Sequence, residues 1–180
     1  MGIVAVAGMY RTGKSYLLNR MILNRSGGFG VGPTINPCTK VSYSNLQGLW
    51  IWKKPLQGFT TQGEPINVLV VDSEGMGGLD EDSNHDTRIF SLAILFSSYF
   101  IYNSVGSIDE NAIQNLSLVV NLTKHIHIKS GAASDDIDPD EYSQYFPTFM
   151  WVVRDFTLQL VDSEGEPISS KEYLDRALAS

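Results

Sequence analysis

The eight residues Gly8-Met9-Tyr10-Arg11-Thr12-Gly13-Lys14-Ser15 fit the spacing G-x-x-x-x-G-K-[ST]. Each fixed position has a physical task. The glycines let the backbone curl closely around phosphate oxygens. Loop amide N–H groups and the start of the following helix supply positive potential. A lysine at this place reaches β- and γ-phosphates, and the next hydroxyl binds Mg²⁺. The flanks make the pattern specific: Ile3–Ala7 is a short β-branched run, and Tyr16, Leu17, Leu18, Met21 and Ile22 predict a helix over Ser15–Asn24. The candidate phosphate-binding residues are therefore Gly8, Tyr10, Arg11, Thr12, Gly13, Lys14, Ser15 and Tyr16, with Ser15 also a metal ligand. The bland alternative is a glycine turn that binds nothing.

A carboxylate is needed near such a loop, and VDSEG occurs twice, at 71–75 and 161–165. The first copy follows Ile66-Asn67-Val68-Leu69-Val70, an apolar run suited to a central parallel strand buried on both faces. Asp72 would then emerge at the carboxyl end of a strand, where open α/β sheets bind ligands. It would support Mg²⁺ through water. Gly75 would offer its N–H to the γ-phosphate, and Met76–Asp86 would be free to switch. The second copy follows Phe156–Leu160, which alternates like a half-exposed strand, and precedes Gly165-Glu166-Pro167. It reads as the tip of a surface hairpin.

The elements that must position these groups follow from hydrophobic periodicity. Leu49–Trp52, Ile66–Val71, Ser98–Tyr102 and Thr148–Val153 read as strands, the last one buried, and Gln57–Pro65 as a turn-rich link. Asp86–Phe96 and Ile108–Lys129 read as helices, with Asp109 and Glu110 at the positive end of the latter. Phe90, Phe96, Tyr99, Phe100 and Tyr102 are expected in the core. Ser169-Ser170-Lys171-Glu172 is a capping box that opens a final helix. Strands alternating with helices predict an α/β fold, a P-loop NTPase with a mostly parallel sheet flanked by helices. No internal repeat is visible, and residues 1–180 read as one domain.

The chain has 180 residues and a net charge of −7. That balance argues against a nucleic-acid binder, which needs a basic face. Cys38 is the only cysteine, and MGIVAVAG has no basic start, so a cytoplasmic protein without intrachain disulfides is expected. No apolar run is long enough to cross a bilayer. His125 and His127 are too few and poorly spaced for zinc, and the acidic residues between Asp135 and Glu141 lack Ca²⁺-loop spacing.

Three stretches, GMYRTGKSYLLN, LVVDSEGMGG and RIFSLAILFSSYFIYNSVGSID, resemble the guanylate-binding protein family, large GTPases related to atlastins within the dynamin superfamily. Atlastins usually carry Gln where this chain has Glu74. The resemblance implies Mg²⁺-dependent binding and hydrolysis of GTP, with GTP and GDP as ligands and a nucleotide-dependent homodimer in the full-length form. Arg11 is similar to the family's internal arginine finger. Thr39 resembles the switch threonine that ligands Mg²⁺, and Glu74 the glutamate that organises the attacking water. Arg154-Asp155 resembles the guanine-recognition motif, in which Asp155 accepts from the base. The implied catalytic residues are thus Arg11, Lys14, Thr39 and Glu74, and the metal ligands Ser15, Thr39 and Asp72. The residues alone do not indicate guanine, because N/T-K-x-D is absent, and without the family Arg154-Asp155 reads as a surface ion pair.

Three departures stand out. The family's guanine cap and helical region are not in 1–180, so an incomplete large GTPase domain is expected, with any membrane association left to the missing regions. Pro37 stands where many members have serine. Val41–Gln47 inserts seven residues into the switch, read either as a loop insertion or as a retained in-frame intron. A truncated, non-hydrolysing interaction module is therefore the competing reading, and a P-loop ATPase a third.

Overall fold

The structure, a computed structural model, describes residues 1–31, 48–77, 83–110, 112–114, 116–117 and 146–179. They fall into two compact units, one drawn from Met1–Asn103 and Ile128–Val152, the other from Ser104–His127 and Val153–Ser180. Thr39, Pro37, the 41–47 insertion, His125, His127 and the acidic loop lie outside the described residues.

The first unit is built on a six-stranded sheet. Its strands are β1 (Gly2–Gly8), β2 (Leu49–Ile51), β3 (Leu56–Phe59), β4 (Pro65–Ser73), β5 (Tyr99–Val105) and β6 (Thr148–Arg154). The order is β2-β4-β1-β5-β6, with β3 also on β4. β1 runs parallel to both β4 and β5, whereas β2 and β3 are antiparallel to β4. The expected parallel centre is present, and the sheet as a whole is mixed. The predicted turn-rich link at Gln57–Pro65 is corrected: Leu56–Phe59 pairs with Pro65–Val68, and the turn is confined to the residues between. β4 is central but not buried throughout. Pro65 and Asn67 are exposed, and only Val70–Ser73 are fully covered.

Side chains alternate across β1, so its two faces need two covers. Val6 packs with Leu17, Leu18, Leu23, Val70 and Ile101 on one face. On the other, helix α2 (Ser83–Phe96) sets Phe90 edge-on against Phe100 and Tyr102, with ring centroids 5.5 and 5.9 Å away. Helix α1 (Lys14–Leu17) widens immediately into a π-helical turn, Leu18–Ile22, where Leu23 N donates to Leu18 O at 2.9 Å. The wider turn buries Leu18 and Leu23 together and turns Tyr16 and Met21 outward, so these two are not core residues. Phe96 is likewise exposed, and so are Phe149 and Met150 on β6, which is not the buried strand expected.

In the second unit, Ser169 and Glu172 form the predicted capping box at the start of helix α3 (Ser170–Ala179). Asp109 Oδ1 accepts from Ala112 N at 2.8 Å, which caps the helical residues that follow. Phe156–Leu160 is not a strand: among the described residues its one backbone tie to the far side of the turn is Leu160 O, which accepts from Ile168 N at 2.9 Å next to an isolated Val161–Pro167 bridge. The second VDSEG is the expected tight turn, with Asp162 Oδ1 accepting from Glu164 N and Glu166 N, both at 2.9 Å.

Candidate phosphate-binding site

The register places Val6 of β1 beside Asp72 of β4, and Gly8 beside Asn103 of β5. Parallel strands end at the same edge, so three functional segments leave the sheet together. The loop after β1 and the segment after β4 are joined by main chain. Met9 and Met76 form a parallel bridge, Tyr10 N donates to Met76 O at 2.7 Å, and Met76 N donates to Gly8 O at 3.2 Å. Two close approaches here require glycine, one at this join and one against β5. A Cβ at Gly75 would lie 2.5 Å from Tyr10 Cα and 2.8 Å from Lys14 Nζ. A Cβ at Gly8, where φ is +152°, would lie 2.0 Å from Asn103 O.

Lys14 reaches back across the loop. Its side chain is only 6% exposed, and Nζ donates to Met9 O at 2.9 Å. Burial lowers its pKa to about 8, while the carboxylates of Asp72, Glu74 and Asp86 oppose that fall. At neutral pH the ammonium therefore keeps its charge. Ser15 Oγ donates to Asp72 Oδ2 at 2.5 Å. Asp72 is fully buried, and its Oδ1 has no hydrogen-bond partner among the described residues. Burial raises the Asp72 pKa to about 6, opposed by the Ser15 hydroxyl, Lys14 and the Ser73 amide. Hard oxygen donors on Ser15 and Asp72, one of them an orphaned buried oxygen, suit Mg²⁺. The local charge agrees, since three carboxylates surround one buried ammonium.

Glu74 is buried at the end of β4, its N donating to Gly48 O at 3.0 Å and its Oε2 3.7 Å from His85 Nε2. Arg11 is exposed at the crest of the loop in a left-handed conformation, φ 61°, with its guanidinium 6.0 Å from the centre of the Tyr10 ring. Thr12 Oγ1 donates to Met9 O at 2.8 Å. Gly13 precedes α1 at φ 81°. Tyr16 stands on the exposed face of α1 with the Arg20 guanidinium over its ring at 5.6 Å. The structure thus gathers Gly8, Tyr10 to Ser15, Asp72, Glu74 and Gly75 within the first unit. Arg154 and Asp155 belong to the second, where Gly106 N donates to Arg154 O at 2.8 Å and Asp155 takes a φ of 52°.

Three contributors were not foreseen. Asn103 Nδ2 donates to Thr12 O at 2.9 Å, Asp86 Oδ2 accepts from Gly77 N at 2.7 Å, and His85 faces Glu74. The available signal was a polar residue closing the apolar run Phe100-Ile101-Tyr102, and a carboxylate in the first turn of α2.

Among the described residues no helix is long and apolar enough to cross a membrane. Comparison with known proteins adds the family. The whole chain, residues 1–180, matches the family model described as Guanylate-binding protein, N-terminal domain. It is 40% identical over 178 residues to guanylate-binding protein 7 of Mus musculus, covering 98% of this chain and 26% of the relative. Over 179 residues it is 41% identical to guanylate-binding protein 3 of Mus musculus and 39% identical to guanylate-binding protein 2 of Homo sapiens, covering 98% of this chain and 27% and 28% of theirs. The chain spans about a quarter of the length of these relatives. A phosphate loop seated on a mixed α/β sheet and a match along the full chain lead to one conclusion: this chain belongs to the guanylate-binding protein family.

Proposed function

We propose that this chain is the nucleotide-binding part of a large GTPase that takes GTP with Mg²⁺ and hydrolyses it. The observation that carries this reading is the set of buried Lys14, buried Asp72 and half-buried Ser15 beneath a glycine loop. A buried ammonium, oriented amides and a helix start form an anion site, and the names of the relatives supply the guanylate. Ser15, Asp72 and Thr39 would hold Mg²⁺, which would neutralise charge developing on the phosphate oxygens. Gly8, Tyr10, Thr12, Gly13 and Gly75 would surround the phosphates with backbone, and Tyr16 would contribute its N–H. Buried Glu74 would organise the water that attacks. Exposed Arg11 could reach the transferring phosphate when two copies face each other, which is the reason to expect a nucleotide-dependent homodimer of the longer protein. Arg154 and Asp155 would read the base, with GTP and GDP accepted and adenine penalised by an unmet carboxylate.

The test is a fluorescent-GTP titration in Mg²⁺ buffer, competed separately by unlabelled GTP and ATP, followed by turnover. Displacement by GTP alone is the expected result. Displacement by both would remove the guanine assignment and leave the phosphate site. Binding without turnover would favour a non-hydrolysing interaction module, and no binding by folded protein would overturn the reading.

A further inference from the structure

We infer that Asn103 is a positioning residue for phosphate binding: from the end of β5 it sets the orientation of the Thr12–Gly13 peptide. The side chain is fully buried, and its Nδ2 donates to Thr12 O at 2.9 Å across 91 residues of sequence. Its backbone is held against Gly8 in the β1–β5 ladder, and the close approach there leaves no room for a Cβ on residue 8. Asn103 therefore cannot drift, and the carbonyl it holds cannot drift either.

The consequence follows from peptide geometry. In a trans peptide the N–H of one residue points opposite to the C=O of the residue before it. Every peptide bond in the described residues is trans. Drawing the Thr12 carbonyl towards Asn103 turns the Gly13 N–H away from it, at the residue that opens α1 and precedes Lys14 and Ser15. Gly13 adopts φ 81°, in the left-handed region, so its peptide is held by external contact and not by helical habit. Asn103 Oδ1 has no hydrogen-bond partner among the described residues, which means this side chain is retained in a buried place at a cost. The donor is what it supplies. Leucine there would deprive the Thr12 carbonyl of that bond.

This inference rests on the nucleotide reading above, and the experiment separates the two. GDP binding with Mg²⁺ is measured by calorimetry for the wild-type chain, Asn103→Ala and Asn103→Asp, while the Gly13 amide is followed by NMR. Asp keeps the shape and loses the donor. Both variants should bind GDP about tenfold more weakly, the size of one net hydrogen bond. The wild-type Gly13 amide proton should move downfield on binding, and in the variants that movement should shrink or vanish. A structural role alone would lower the melting temperature without changing the Gly13 response. Wild-type GDP binding with an unchanged affinity and Gly13 shift in both variants overturns the inference and leaves the function standing. A wild-type chain that fails to bind GDP overturns both. Should a variant not fold, the wild-type protein decides. The scalar coupling between Asn103 Nδ2 and the Thr12 carbonyl carbon must be present with GDP bound, and its absence is equally fatal.

Discussion

Ser15 and Asp72 share a 2.5 Å hydrogen bond that joins the first turn of α1 to the carboxyl end of β4. The bond connects the two proposed Mg²⁺ ligands of the described residues. It also gives Asp72 Oδ2 a neutral donor, alongside the Ser73 amide, in a buried setting that otherwise favours protonation. Ser15→Ala should remove both contributions. Hydrogen bonds to charged groups are worth more than neutral ones, so the Mg²⁺-dependent part of GDP affinity should fall roughly 10- to 100-fold. Binding measured with and without Mg²⁺ checks this, and an undiminished Mg²⁺ effect would remove Ser15 from the metal site.

Two glycines should respond in opposite directions to the same substitution. Gly75→Ala puts a Cβ 2.5 Å from Tyr10 Cα, which is backbone and cannot swing away. The expected loss is about 1–3 kcal/mol of stability, with weakened nucleotide binding. Gly58→Ala, in β3, places its Cβ no closer than 3.9 Å to Ile66 Cγ2. It should stabilise by about 0.4–1 kcal/mol through the unfolded chain. Paired denaturation curves would contradict this account if both variants shifted the same way.

Asp86 ties the first turn of α2 to the segment after β4 by accepting from Gly77 N at 2.7 Å. Asp86→Ala should release that amide, and hydrogen exchange at Gly77 should accelerate about tenfold, matching roughly 1.4 kcal/mol. Asp86→Asn retains an acceptor and should restore most of the protection. Unaltered exchange in the alanine variant would show that Gly77 is held by something else.

The capping box supplies a pH dependence. The Ser169 N–H, then the Ser169 hydroxyl, lower the Glu172 pKa below its ordinary 4.5. A carboxylate with a depressed folded pKa stabilises above the unfolded value, and the contribution disappears as pH falls through the folded one. Helix α3 should therefore fray at acid pH, below 4.5 and not near neutrality. Carbon-detected titration of Glu172, with amide exchange at Tyr173, follows this. Glu172→Gln should flatten that acid limb, and an identical limb in the variant would assign it to other carboxylates.

Much of this was readable in advance, for local reasons. The strand, loop and helix from Ile3 to Leu23 carry their own signals within one short stretch, because phosphate chemistry demands neighbouring residues. Gln57–Phe59, at the start of the expected turn-rich link, is strand because its partner is β4: Gln57 pairs with Asn67 and Phe59 with Pro65. Phe156–Leu160 shows the converse, an alternating pattern that finds no ladder. The π turn escaped because Leu18 and Leu23 are five apart, a spacing outside helical periodicity. Asn103 escaped because it meets Thr12 only when the topology puts β5 next to β1.

The join between Met9 and Met76 is made of peptide groups alone. Its two bonds therefore need no particular side chain at either place, and at Met76 only proline, which lacks the N–H, would remove a donor. The two stretches behave as one ribbon with a common register. Continuity across this edge of the sheet is a property of the main chain, kept wherever the absent side chain at Gly75 lets the two stretches close.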